Sequence, residues 1–170
     1  MTAKGHMVLA SALAYIPVTY ILNTYTYKEA FLSYIVIIFG SLLPDIDEPE
    51  SYIGHKAVFI AYFLKVLGLK HRTLTHWLIT PLLISLIGCF VENELLSLIL
   101  FSLAIGILAH DIGDMLTRGG IYGFLFPFFP RTQIALLPKV LRFETFSLTE
   151  MFFVATLMGV NVYLYAKISI

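Results

Sequence analysis

The chain has 170 residues, 59% of them hydrophobic and 13% charged, where a soluble domain has about 45–50% and about 25%. With a mean hydropathy of +0.87, it reads as an integral membrane protein forming a single domain over residues 1–170. Its 11 Lys/Arg balance 11 Asp/Glu, so bulk charge gives no reason to expect a nucleic acid partner, and the single cysteine, Cys89, excludes an internal disulfide.

In chain order, the first apolar run is Met7 to Leu22 and the second is Ala30 to Leu43, which ends in Pro44-Asp45-Ile46-Asp47. Both are shorter than the roughly 20 residues of a comfortable span. Flanking Tyr and Lys can snorkel and the bilayer can thin, so both are read as crossing. Ala10-Ser11-Ala12 has the small-residue look of a cleavage site, but too little apolar chain precedes it for a signal peptide. Ala57 to Leu69 is short, contains Lys65 and is bracketed by Lys56 and Lys70; it is read as an interfacial helix that does not cross. The segment His71 to His76 opens a span from about Thr75 to Val91, with Pro81 in its second turn as a candidate kink. A polar turn at Glu92-Asn93-Glu94 leads into Leu95 to about Thr117.

Ile121 to Pro130 (IYGFLFPFFP) is wrong for a spanning helix, and its aromatics suit a loop at the headgroup level. Leu148 to Ala166 is the last span, with Ser147 or Thr145 as N-cap and Glu150 in the first turn. The expected fold is therefore all-α, with about five transmembrane helices and one interfacial helix.

Provided that Ala57 to Leu69 does not cross, His6, Asp45, Asp47, His71, His76, His110 and Asp114 fall on one membrane face. The same face holds nine Lys/Arg (Lys4, Lys56, Lys65, Lys70, Arg72, Arg118, Arg131, Lys139, Arg142) against two, Lys28 and Lys167, on the other. By the positive-inside rule the site face is cytoplasmic, in the inner or plasma membrane.

The stretch Gly106 to Gly120 (GILAHDIGDMLTRGG) carries the sharpest chemistry. His110 and Asp114 stand four residues apart and project from one helix face. Ser102, Gly106, Gly113 and Thr117 continue that face as a small and polar stripe. An isolated pair of this kind is most simply a buried polar contact between helices; its company argues for more. Imidazoles and carboxylates without thiolate suit zinc, manganese or iron in a hydrolytic role. Seven candidate donors exceed one tetrahedral shell, which allows two ions with a bridging carboxylate. Asp47 is read as a partner orienting a histidine. Arg72 and Arg118 flank the donors, and guanidinium forks match phosphate oxygens; the plainer explanation for both is topological charge. His55 reads as an exposed loop histidine, while Glu48, Glu50, Glu92 and Glu94 read as solvated turn charges. Glu144 and Glu150 carry no spacing argument.

His6 in its GH start, SLLPDID at Ser41–Asp47, HRTLTHW at His71–Trp77 and AHDIGDMLTRGGIYGFLFPF at Ala109–Phe128 together resemble the YdjM-type family. Its members are described as LexA-regulated inner-membrane proteins and inferred to be membrane-bound metal-dependent hydrolases. The resemblance implies a distant likeness to the helical core of zinc-dependent phospholipase C and P1-type nucleases. It further implies that Asp45, His71 or His76, His110 and Asp114 hold one metal, with His6 holding a second and Asp114 bridging. Thr73 stands where the family motif usually has Gly, and no ligand set for a third zinc is apparent.

The leading expectation is a hydrolase using zinc, or else manganese or iron, on a lipid or lipid-linked phosphoester at the membrane. Asp45, Asp114 and Arg72 are its candidate catalytic residues, and Arg72 and Arg118 its substrate contacts. The rivals are a divalent-cation transport protein and a non-catalytic membrane protein whose metal ties helices together.

Overall fold

The computed structural model describes residues 1–67, 71–72 and 74–168; Leu69, Lys70 and Thr73, which enter the sequence reading, lie outside them. Among the described residues the fold is carried by seven α-helices: α1 (Ala3–Thr24), α2 (Tyr27–Gly40), α3 (Tyr52–Lys56), α4 (Val58–Val66), α5 (Ile79–Phe90), α6 (Glu94–Met115) and α7 (Leu148–Ala166). Short 3-10 helices at Leu43–Asp47, Leu74–His76 and Lys139–Leu141 join them. This is an all-α membrane protein. Four helices are long and apolar enough to cross a bilayer: α1, α2 with its 3-10 extension to Asp47, α6 and α7.

The remaining predicted span is α5, an apolar helix of 12 residues and so only about 18 Å long. It starts at Ile79 because Leu74–His76 is wound as a 3-10 turn and the Leu78 N–H is donated to the Phe124 carbonyl at 2.9 Å. Pro81 is therefore the third residue of α5 rather than a second-turn residue, at a position with no intrahelical N–H bond to lose, and the expected kink has no cause there. Helix α4 has nine residues, about 14 Å against the roughly 30 Å hydrocarbon core. It packs against the Leu43–Asp47 turn with Phe59, Phe63 and Val66 exposed, and it is not among the helices long and apolar enough to cross.

Helices α1, α2 and α6 make the centre. Ala10, Ala14, Val18 and Ile21 of α1 meet Ala30 and Ile37 of α2 and Ala109 of α6, and the four alanines among them let helices without a hydrophobic driving force approach closely. Ser33 and Ser102 join α2 to α6 by a hydrogen bond of 2.7 Å. At Gly106 the approach is closest: an added Cβ would collide with the Ile37 carbonyl and lie 2.8 Å from the Gly40 Cα. Gly106→Val is accordingly expected to cost at least about 1–3 kcal/mol, read as a lowered Tm in detergent. An unchanged Tm would mean that α2 and α6 are not packed this tightly.

Helix α7 starts at its Ser147 cap and packs along α1, with Asn161 donating to the Val8 carbonyl and Tyr165 to the Ser11 carbonyl. The aromatic loop after α6 is closed at its base by a two-residue antiparallel ladder, β1 (Ile121–Tyr122) with β2 (Gln133–Ile134). Phe128 and Phe129 are exposed, while Phe126 stacks on Trp77 at 4.0 Å. The starts of α1 and α7 and the ends of α2 and α6 meet at one end of the bundle, and the polar motifs meet with them.

Candidate metal centre

Thr2 caps α1 and starts the helix so that His6 lies in its opening turns. The Leu43–Asp47 turn, begun by Pro44, carries Asp45 and Asp47 back over the end of α2. The Leu74–His76 turn delivers His76, and α6 delivers His110 and Asp114 from one face. Gly113 lies on that face where a Cβ would stand 2.9 Å from His6 Nδ1, so its missing side chain is the space the imidazole uses. The result is two overlapping triads, His6–Asp45–His110 and His76–His110–Asp114, within each of which the donor atoms lie within 4.8 Å of one another. Asp45 is the partly exposed member, its side chain 21% accessible; the other four are buried.

The unmet hydrogen-bonding capacity of these groups is informative. Burying a polar atom without a partner costs about 1–3 kcal/mol. Yet His6 Nδ1 and Nε2, His76 Nε2, His110 Nε2 and Asp114 Oδ2 are buried with no hydrogen-bond partner among the described residues. The surrounding bonds assign the tautomers. His110 Nδ1 donates to the Ser41 carbonyl at 2.7 Å, which leaves the lone pair on Nε2. The Thr75 hydroxyl donates to Asp47 Oδ2 at 2.8 Å and so accepts from His76 Nδ1 at 3.0 Å, leaving the Nε2 lone pair there too. Such outer hydrogen bonds are what fixes a metal-binding imidazole in its ligating tautomer. The donor chemistry, nitrogen and carboxylate oxygen without sulfur, fits a divalent ion of the zinc, manganese or iron type.

Asp114 is the electrostatic hub. Its Oδ1 lies 2.7 Å from the Met1 amino group and 3.4 Å from His6 Nε2. Its Oδ2 lies 3.0 Å from Arg72 Nε, 3.7 Å from His76 Nε2 and 3.9 Å from His110 Nε2. The Arg72 contact is an ion pair whose geometry is off-line for a hydrogen bond. Arg72 is further held by Nη1 donating to the Gly120 carbonyl at 2.8 Å, and its own backbone N–H donates to Asp47.

The expected donors His6, Asp45, His76, His110 and Asp114 are thus brought together, with Arg72 touching them. His71 belongs to neither triad. Its Nδ1 is taken up by Asp47 at 2.8 Å, which gives Asp47 the histidine-orienting contact expected of it. Burial alone would lower the His71 pKa, but the Asp47 carboxylate outweighs it and the net shift is upward. Arg118, expected beside the substrate, is not brought to the cluster: it pairs with Glu144, both side chains exposed. The reason is the turn after α6, which points the chain outward and hands the Arg118 N–H to the Phe143 carbonyl. His55 is exposed on α3.

Two further carboxylates, outside the expected donor set, are buried. Glu150 accepts from the Thr2 and Phe146 N–H groups at 2.6 and 2.7 Å, fastening α7 to the start of α1. Asp111 is 1% accessible, and neither of its oxygens has a hydrogen-bond partner among the described residues. Its only sequence signal was a charge inside an apolar helix.

Two cavities meet at His71 and Arg72. The larger, about 840 Å³, runs from Asp45 and Asp114 to α7; the other, about 700 Å³, is walled by Trp77, Tyr122 and Phe126 of the aromatic loop. The family model described as YdjM inner membrane protein matches residues 1–168 of the chain. Neither a curated protein nor a solved structure matches it.

Proposed function

The chain belongs to the YdjM inner membrane protein family, and from that membership together with the buried donor cluster we propose a membrane-bound, metal-dependent hydrolase that cleaves a phosphoester of a lipid or lipid-linked substrate. The observation that carries this reading is the set of buried, unpartnered donor atoms on His6, His76, His110 and Asp114 beside a cavity. His6, Asp45, His76, His110 and Asp114 would hold one or two divalent ions, zinc foremost and manganese or iron as alternatives. A metal bound there supplies a Lewis acid and a water whose pKa falls to about 7.

The chain's own residues do the remaining work. Ser41 and Thr75 hold the imidazoles in their ligating tautomers. Asp45, the accessible carboxylate on the cavity wall, turns Oδ1 toward His76 and His110 as its ligand atom and has its second oxygen, Oδ2, to take a proton from water. Arg72, with one guanidinium N–H on Gly120 and another facing Asp114, has further N–H groups for phosphoryl oxygens. A cation transporter would set carboxylates near the middle of several spans, whereas these lie at one end of the bundle. Zinc-loaded protein in detergent is expected to hydrolyse a long-chain phospholipid or a soluble phosphodiester, and Asp114→Asn to abolish that turnover. Bound zinc without turnover of either would leave the cluster as a tie between helices.

The active face is cytoplasmic on the nine-to-two Lys/Arg asymmetry of the sequence. In a Cys89→Ser background, cysteines at Tyr52 and Arg131 should be shielded from an impermeant thiol reagent added outside intact cells. Cysteines at Lys28 and Asn93 should react. The reverse pattern would invert the protein, and unlike labelling of Tyr52 and Arg131 would separate motifs that the proposal needs together.

A further inference from the structure

The larger cavity changes character along its length. Its inner end is polar, formed by Asp45, Asp114, His71 and Arg72; its far wall is Met151, Val154, Ala155 and Met158 of α7. Those four follow i, i+3, i+4, i+7 spacing and make one stripe of the helix. A different stripe of α7, marked by Phe153 and Leu157 in the packing and by Asn161 and Tyr165 in hydrogen bonds, faces the bundle. The cavity wall is therefore a second face of α7, not its packing face. Met158 lies ten residues beyond Leu148, about 15 Å along the axis and so about half of the roughly 30 Å hydrocarbon thickness.

We propose that this cavity is the seat of a phosphorylated lipid, whose hydrophobic chain enters sideways from the bilayer along the Met151–Met158 stripe of α7 and brings its phosphate to Arg72. The inference rests on the phosphoester reading above and adds the route and the chemical form of the substrate. One occupant meets both ends of the cavity: anionic at the head, apolar over a length reaching the middle of the membrane. The flexible, unbranched side chains of Met151 and Met158 adapt to a chain with no fixed shape. On the turn beyond α2, the same cavity is rimmed by Glu48 and Glu50, whose charges disfavour a free phosphate arriving from water. Both oxygens of Glu150 accept backbone N–H bonds, whose dipoles offset part of its charge. Lys4 lines the cavity too, and with Arg72 supplies two cations for one lipid phosphate.

The test is photocrosslinking of the full chain in phosphatidylglycerol vesicles containing a small fraction of phosphatidylglycerol with a diazirine midway along one acyl chain. Adducts mapped by mass spectrometry should concentrate on Met151, Val154 and Met158 over Phe152 and Tyr163, which are exposed on other sides of α7. Ala155→Trp, which fills the groove, should lose that concentration. Diacylglycerol carrying the same diazirine but no phosphate should label α7 evenly. Even labelling by the phospholipid in the wild type would overturn the proposal, since α7 would then simply be bathed in lipid. Adducts on Trp77 and Phe126 would overturn it as well, by putting the chain in the other cavity. Crosslinking needs no turnover: a seated lipid that zinc-loaded protein never hydrolyses would defeat the hydrolase reading and leave the seat standing.

Discussion

Detergent-purified His110→Ala protein is expected to lose zinc affinity by more than about 100-fold, whereas Asp47→Ala should fall within the roughly 10–100-fold range of outer hydrogen-bond partners. The difference follows from position. His110 belongs to both donor triads, so its removal breaks each of them, while Asp47 belongs to neither and acts through the side chains of His71 and Thr75 and the backbone of Arg72. His6→Ala and His76→Ala each break one triad, and should each lower a two-ion stoichiometry to one. Both Asp114→Asn and Asp114→Ala remove the counter-charge shared by the buried Met1 amino group and Arg72, but asparagine fills the same volume and keeps a carbonyl oxygen as acceptor, so Asp114→Asn is the better probe. Metal analysis on variants whose helicity matches wild type decides the matter. Equal zinc in wild type, His110→Ala and Asp114→Asn would remove the site from consideration.

What could be read in the sequence was whatever a helical period or a cap encodes locally. The four-residue spacing puts His110 and Asp114 on one face of α6, and Ser102, Gly106, Gly113 and Thr117 of the predicted stripe are all buried there. Ser147 and the limits of α7 were likewise visible, since the cap and the apolar run lie side by side in the chain. The choice between His71 and His76 was not. Both are histidines of one short segment, and they are told apart by Asp47 and Thr75, which tie one imidazole outward and orient the other.

The Ser41 carbonyl that orients His110 is a backbone group and leaves no side-chain signal. Arg118 could not be assigned because its partner, Glu144, is 26 residues away and reaches it only through the tertiary fold. The β1–β2 ladder was missed for a related reason: a segment of Phe, Pro and Gly shows no two-residue alternation, and left-handed Gly120 and Gly123, at φ of 53° and 67°, shape the turn instead.

The Arg72 backbone sits at a φ of 62°, a left-handed conformation that costs a non-glycine residue of order 1–3 kcal/mol and persists where the surroundings over-determine it. Those surroundings are the Asp47 carboxylate on its N–H, the Gly120 carbonyl on Nη1 and Asp114 beside Nε. The strain therefore holds a guanidinium at the junction of the two cavities, against the donor cluster. Arg72→Gly separates conformation from chemistry, because glycine adopts this φ freely. Its Tm is expected to hold within a few degrees of wild type, with the lost side-chain contacts offset by relief of the strain. Phosphoester turnover is expected to fall about 10²–10³-fold in kcat, the loss typical of removing one preorganised stabiliser of transition-state charge. Arg72→Lys should recover little of it, because an ammonium offers a point charge in place of the fork and cannot face Asp114, Gly120 and a phosphate at once. Zinc content should stay near wild type in both variants, since Arg72 donates no ligand. A fall in zinc that matched the fall in kcat would make Arg72 a support for Asp114; full activity in Arg72→Gly would remove it from the chemistry altogether.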